Sequence, residues 1–309
     1  MVTAIPPLTD DEKLEFGERV NSQHDESAPT KLVIASYNIR YARGRYLILG
    51  GVVRKLGLMS LSQRPQTVHN NITTAAKAFS DGTLLPKIDV LALQESDKRT
   101  RRTGGHHIAA ELATKLRMNW VHAPAGIPRG VKPVQRQWWL DFEEPIGLHD
   151  EGDTGVALLS KYQLNNVTRI DLPWQECPWR PRLAIAADIS VSGRTVRLFN
   201  AHVDPHAASG GQLAQMEVIV DQADQSPGPT IILGDFNTLS KEKCIVTRQF
   251  LESRGYVTPY PTGTATWRGA GLRMHADWIF TRGCKIERWG VARPLNVSDH
   301  WPIWAEVGL

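Results

Sequence analysis

Apolar runs that stop at a side chain able to do chemistry recur along this chain, and they constrain its fold more than any other feature. The stretch TIILGDFNT, residues 230–238, has the form. Thr230, Ile231, Ile232 and Leu233 are β-branched or aliphatic, the composition of a strand buried on both faces. Gly234 breaks the run, and Asp235 and Asn237 follow with one residue between them. Positions i and i+2 of an extended chain point the same way, so two polar side chains leave the strand's end side by side. Asp, Asn and Gly are also common turn formers. Taken alone, the stretch fits a turn as well as a site.

Strand character is also present in KLVIASYNI, IDVLALQE, TGVALLS, LAIAADISV, TVRLFNAHV, HADWIF and WPIWAEV. Between them, TVHNNITTAAKAFS, HHIAAELATKLRM, GGQLAQMEVIVDQAD and TRQFLESRG have helical character. Many strands, some consecutive and some separated by helices, imply an α/β layered fold with mixed sheets. No internal repeat or second linker divides residues 31–309, which read as one domain. Residues 1–30 are polar and read as an N-terminal extension or short helix. In it Thr9 and Glu12 have the spacing of a capping box for a helix through Val20, and NSQHDESAPT reads as a linker.

Composition narrows the class. Hydrophobic residues make up 41% and charged ones 22% of 309 residues, as in an ordinary globular chain. No apolar run approaches the roughly 18 residues that cross a bilayer. The first twenty residues lack a basic segment followed by an apolar core, so no secretory signal is expected and a cytoplasmic location is. Cys177, Cys244 and Cys284 form no CxxC pair and imply neither a disulfide framework nor a zinc site. The net charge of +4 mildly favours a polyanionic partner.

The strand ends carry the function. VIASYN ends at Asn38, VLALQE at Glu95, RLFNAH at His202 and IILGD at Asp235. MHAD brings Asp277 into a strand, and NVSDH brings Asp299 and His300 to the start of another. Each has an ordinary structural reading: a turn for Asn38, a helix entry for Glu95, a half-buried histidine for His202, a cap for Asp299. Gathered on one rim of layered sheets, they would instead form a cleft of carboxylates, imidazoles and amides. Buried strands seldom supply so many polar groups without a task.

The motifs SYNIR, LALQE, NAHVD, GDFN, HADWIF and VSDHWPI resemble, in uninterrupted order, those of the endonuclease/exonuclease/phosphatase superfamily with its deoxyribonuclease I-like fold. The resemblance runs from about residue 31 to 309, and TGVALLSK and Arg182 of RPRLAIA extend it. It implies a four-layered α/β/β/α sandwich of two packed mixed sheets flanked by helices. It also implies a Mg²⁺-dependent phosphoesterase, with Mn²⁺ as a substitute. A phosphodiesterase or nuclease is the first expectation, and a sphingomyelinase-like or inositol-phosphate phosphatase-like enzyme the alternative. A catalytically silent binding module is the third. Two departures stand out. Thr154 occupies a position that is often aromatic or acidic in relatives. The long segment from Ala42 to Gln66 carries Arg43, Arg45, Arg54, Lys55 and Arg64, for which the family offers no role.

Hydrolysing a phosphate ester means bringing water to an anion and stabilising the charge that grows on its oxygens. A hard divalent cation with carboxylate, amide and water ligands suits that task. The resemblance assigns Glu95 as the principal metal ligand, with Asn38 and Asp299 completing the site. Asp277 is expected to orient His300, which acts as general base or as a cationic clamp, with Asp235 the rival water activator. His202 is expected to meet a non-bridging oxygen or the leaving group. Asn237, Asn38 and Arg182 are expected to hold the phosphate.

Substrate class rests on two local features. SDKRTRR places Lys98, Arg99, Arg101 and Arg102 directly after Glu95, where they could track a nucleic-acid backbone. VQRQWWLDF places Trp138 beside Trp139, a pair suited to stacking on bases or to a membrane interface. The expected partner is a phosphate-ester substrate, nucleic acid foremost, acted on by a monomer.

Overall fold

The computed structural model describes residues 14–18, 31–44, 63–129, 146–173, 180–269 and 271–309. Thr9, Glu12, Arg45, Arg54, Lys55, Trp138, Trp139 and Cys177 lie outside them, so the capping box, part of the basic segment and the tryptophan pair are not described.

Two mixed sheets organise the chain. The seven-stranded sheet contains β1 (Glu15–Gly17), β2 (Lys31–Asn38), β3 (Val90–Gln94), β4 (Asn119–Pro124), β5 (Gly155–Ser160), β13 (Lys285–Val291) and β14 (Ile303–Gly308). Its order is β1-β4-β5-β3-β2-β14-β13. The five-stranded sheet contains β6 (Asn165–Asp171), β7 (Leu183–Val191), β8 (Arg194–His202), β9 (Thr230–Asp235) and β12 (Asp277–Arg282), in the order β12-β9-β8-β7-β6. A small hairpin pairs β10 (Trp267–Gly269) with β11 (Leu272–Met274).

Parallel pairs need long crossovers, and helices provide them. Strands β2 and β3 run parallel, joined through α1 (Arg64–Ser80); β8 and β9 run parallel, joined through α3 (Ser209–Ala223). The remaining helices are α2 (Ile108–Leu116) and α4 (Lys241–Ser253). None of the described helices is long and apolar enough to cross a membrane.

The apolar runs are buried on both faces, and in the seven-stranded sheet residue parity divides the side chains between two cores. In β3, Val90 and Ala92 join the core shared with the five-stranded sheet, where Leu198, Phe199, Ile232 and Ile279 lie. Leu91 and Leu93 join a second core with Ile72 and Phe79 of α1 and Leu112 of α2. Met216, Ile219 and Val220 of α3 pack with the first cluster, covering the five-stranded sheet. The result is the α/β/β/α sandwich expected from the motifs.

One local expectation is corrected. Glu15–Gly17 is a strand paired antiparallel with β4, not the last part of a helix reaching Val20. Glu15 gains partners there that a helix would not give it: its carboxylate accepts from Lys98 Nζ at 2.7 Å and lies 2.9 Å from His107 Nε2.

Candidate active site

The cleft forms where the two sheets meet. Asn38 ends β2 and Glu95 follows β3 on one sheet; His202 ends β8, Asp235 ends β9 and Asp277 opens β12 on the other. A buried amide network ties the layers together beneath it. Gln94 Nε2 donates to Ser36 Oγ at 3.1 Å and to Asn200 Oδ1 at 2.7 Å, and Asn200 Nδ2 donates back to the carbonyls of Leu93 and Ala157.

Gly234 explains the break in TIILGDFNT. Its φ of +147° is one that side chains rarely adopt, and a Cβ there would lie 2.0 Å from the Ala201 carbonyl oxygen. Strand β9 thus approaches β8 closely, and Asp235 comes into register with His202. Asp235 Oδ2 accepts the Asn38 amide at 2.8 Å, and Oδ1 accepts the Asn237 backbone N–H at 2.9 Å. The same Oδ2 lies 3.8 Å from His300 Nε2 and 3.7 Å from His202 Nε2. Burial pushes the Asp235 carboxyl up, with His300 opposing and Asp277 adding to the rise, to about 7.

Asp277 and His300 are joined as expected, with Oδ2 2.9 Å from Nδ1. Burial disfavours the charged ring, but Asp277 and Asp235 outweigh it and raise the His300 pKa to about 10. The ring is therefore an imidazolium at neutral pH. Ligand atoms of Asp235, Asp277 and His300 all lie within 4.8 Å of one another, a grouping that resembles a metal cage. An imidazolium has no lone pair for a cation, so here the ring's own proton supplies the positive charge.

His202 is the opposite case. Burial, then Arg182, Arg180 and His300, hold its pKa well below the usual histidine range, so the ring is neutral. Arg182 Nη1 lies 2.9 Å from its Nε2. Arg182 is only 4% exposed, its Nε has no partner, and among the described residues no carboxylate stands within ion-pair distance of it. Burial disfavours its charge while Asp204, Glu95 and Asp235 attract it from beyond pairing distance, and an anion in the cleft in front of it would add to that attraction.

Glu95 borders this cleft together with Ile127, Thr154, Arg180, Arg182 and His202. Its φ is +50°, in the left-handed region that non-glycine residues seldom occupy. Its Oε1 lies 3.5 Å from Arg180 Nη2 and 3.9 Å from His202 Nε2. A half-open carboxylate beside the Asn38 amide is a donor set suited to a hard cation. Asn38 Oδ1 meanwhile accepts the Arg40 backbone N–H at 3.0 Å.

Asp299, expected to complete or support the metal site, is held by protein donors. Its Oδ2 accepts from Arg40 and from Trp267 Nε1, the latter at 2.8 Å, and its Oδ1 accepts from Ser298 Oγ at 3.2 Å. The carboxylate is committed to Arg40 instead of open to a cation. Asn237 is placed at the cleft, with one amide hydrogen given to the Val203 carbonyl at 2.8 Å; an amide carries two, so that bond does not exhaust it.

The basic run after Glu95 is also corrected. Arg102 is buried, donates to both oxygens of Asp97 at 2.6 and 2.7 Å, and stacks 3.4 Å from the Tyr41 ring. Lys98 is buried on Glu15. Arg99 and Arg101 alone of the four are exposed. The sequence reading also passed over Arg40, Tyr41 and Arg180. Arg180 carried a signal, since it is two residues from Arg182 and an extended chain turns both to the same side.

A family model described as Endonuclease/Exonuclease/phosphatase family matches residues 35–300 of the chain. No curated protein matches it. Among solved structures, a family protein from Leptotrichia buccalis is 15% identical with a TM-score of 0.59, over 90% of this chain and 100% of that one. A mannosyl-6-phosphatase from Bacteroides thetaiotaomicron is 16% identical with a TM-score of 0.57, over 90% and 100%. A D. rerio TDP2 humanised by 14 mutations is 15% identical with a TM-score of 0.54, over 91% and 100%.

Proposed function

The chain belongs to the endonuclease/exonuclease/phosphatase family, and we propose that it hydrolyses a phosphate ester gripped by Arg182 and by a divalent cation held on Glu95 and Asn38. Members of the family are hydrolases of phosphoester bonds that depend on a divalent metal. Mg²⁺ is the proposed ion, with Mn²⁺ as a substitute. Bound there, it would neutralise charge on the phosphate oxygens.

The observation that carries the reading is Arg182, a buried guanidinium that faces a cleft headed by Glu95 and has, among the described residues, no carboxylate within ion-pair distance. Asp235, with a pKa near 7, is suited to take a proton from the attacking water. The water oxygen forms the new bond to phosphorus as the ester P–O bond breaks, and the departing alkoxide takes a proton from solvent. His300, fixed as a cation by Asp277, stabilises the Asp235 carboxylate that begins the reaction. Asn237 and neutral His202 offer hydrogen bonds to the phosphate oxygens.

Nucleic acid is the second reading. It is supported by the net charge of +4 and by exposed Arg99 and Arg101, and no longer by Lys98 and Arg102. The likeness to both a TDP2 and a mannosyl-6-phosphatase leaves the fold neutral between these classes.

The test is hydrolysis of p-nitrophenyl phosphate and bis-p-nitrophenyl phosphate with Mg²⁺ or Mn²⁺, with and without chelator. The expected result is a chelator-sensitive rate that Arg182→Ala lowers about a hundredfold. A rate of zero on both esters with either metal would leave only a silent binding module.

A further inference from the structure

Arg180 reaches the cleft on a support built from residues far along the chain. Its Nη2 donates to the Tyr41 hydroxyl at 3.1 Å and stands 3.5 Å from Glu95. The Tyr41 ring is buried and carries Arg102 on its face at 3.4 Å, while Asp97 clamps that guanidinium at 2.6 and 2.7 Å. Tyr41 reaches this position on a turn in which Arg40, Tyr41 and Ala42 all have positive φ, 45°, 59° and 52°. Three consecutive left-handed residues are expensive.

The geometry makes better sense with an anion in the cleft. Arg180 and Arg182 flank Pro181 and border the same cleft. Glu95 would hold a cation in place of its pairing with Arg180, leaving that guanidinium available to a phosphate in the cleft. An internal diester carries one charge and two esterified oxygens. A terminal phosphate carries close to two charges and three unesterified oxygens, enough for two guanidiniums and a metal together. The neighbouring Lys98 and Arg102, which would have followed flanking phosphates, are buried in ion pairs.

Building on the phosphoester reading above, we propose that Arg180, positioned by Tyr41, is a specificity residue that selects terminal phosphate monoesters over internal diesters. In the reaction, water adds to phosphorus, the alcohol leaves on its own oxygen and takes a proton, and inorganic phosphate is released.

The experiment compares wild type, Arg180→Gln and Tyr41→Phe on p-nitrophenyl phosphate and bis-p-nitrophenyl phosphate, with inorganic phosphate as inhibitor and as calorimetric ligand. Wild type is expected to favour the monoester by at least about tenfold in kcat/KM. A charge-assisted hydrogen bond is worth roughly ten- to a hundredfold in affinity, so Arg180→Gln should cost about that on the monoester and less than about threefold on the diester. Its phosphate Ki and Kd should rise by about tenfold. Tyr41→Phe keeps the ring under Arg102 and should raise KM and Ki in the same direction while leaving kcat and the melting temperature near wild type. Equal losses on both esters, or a wild type that prefers the diester or plasmid DNA, would overturn the proposal. Failure of the hydrolase reading looks different: neither ester turns over, yet Arg180-dependent phosphate binding survives in the calorimeter.

Discussion

Glu95 and the Asp277–His300 pair do separate work, and substitutions distinguish them. Glu95→Gln keeps the shape and removes the charge that would attract a cation. Mg²⁺ affinity measured by calorimetry and turnover are both expected to fall by about a hundredfold or more, with the fold intact. Near-native activity at low Mg²⁺ would refute that role. On the proposed mechanism Asp277 acts chiefly through the ring it holds at 2.9 Å. Asp277→Asn, His300→Ala and the double variant are therefore expected at about the same low rate, because groups that act as a unit do not add. Additive losses in the cycle would show two independent roles. These residues were legible in the sequence because each closes or opens an apolar run inside an ordered motif. Arg40, Tyr41 and Arg180 were not, because their work depends on partners far along the chain: Asp299 for Arg40, Arg102 and Arg180 for Tyr41. Lys98 and Arg102 misled for the same reason, since a charge run looks alike whether solvated or paired.

Among the elements, strands β2, β3, β5, β7, β8, β9, β12 and β14 announce themselves as apolar runs; all but β14 are mostly buried, and β14 buries alternate residues. Strands β6 and β13 do not. They lie at sheet edges, with most residues exposed or half exposed, so no apolar run exists to be read. β1, three residues long, has too little pattern to outweigh a capping-box spacing. Strand β8 meets β9 closely at Gly234. Gly234→Ala is expected to destabilise the protein by about 3 kcal/mol, combining an unfavourable φ with a collision at the Ala201 carbonyl. A urea titration measures this; a loss under about 1 kcal/mol would mean that the strands separate easily.

The whole molecule carries a pH signature away from the cleft. His122 and His275 are buried, and burial before any other cause holds each near a pKa of about 3. In the unfolded chain both return to about 6.5, so below that pH the unfolded state binds protons that the folded state refuses. The contribution of these two histidines is therefore complete above about 6.5 and lost as pH falls toward 3, by roughly 1.4 kcal/mol per pH unit for each. Thermal melts between pH 7 and 4 should show the decline, and His122→Gln should make it shallower; a flat profile would refute the burial argument. The division of the site between two sheets has a different consequence. Asn38, Glu95 and His300 belong to one layer, and Arg182, His202, Asp235 and Asp277 to the other. Catalysis is thus a coincidence detector for two surfaces, and its gauge is the 2.8 Å bond from Asn38 to Asp235. Hydrostatic pressure, or a void opened between the layers at Leu198, which shares the face of Asn200, would slide one half of the chemistry past the other and silence turnover while every strand was still paired.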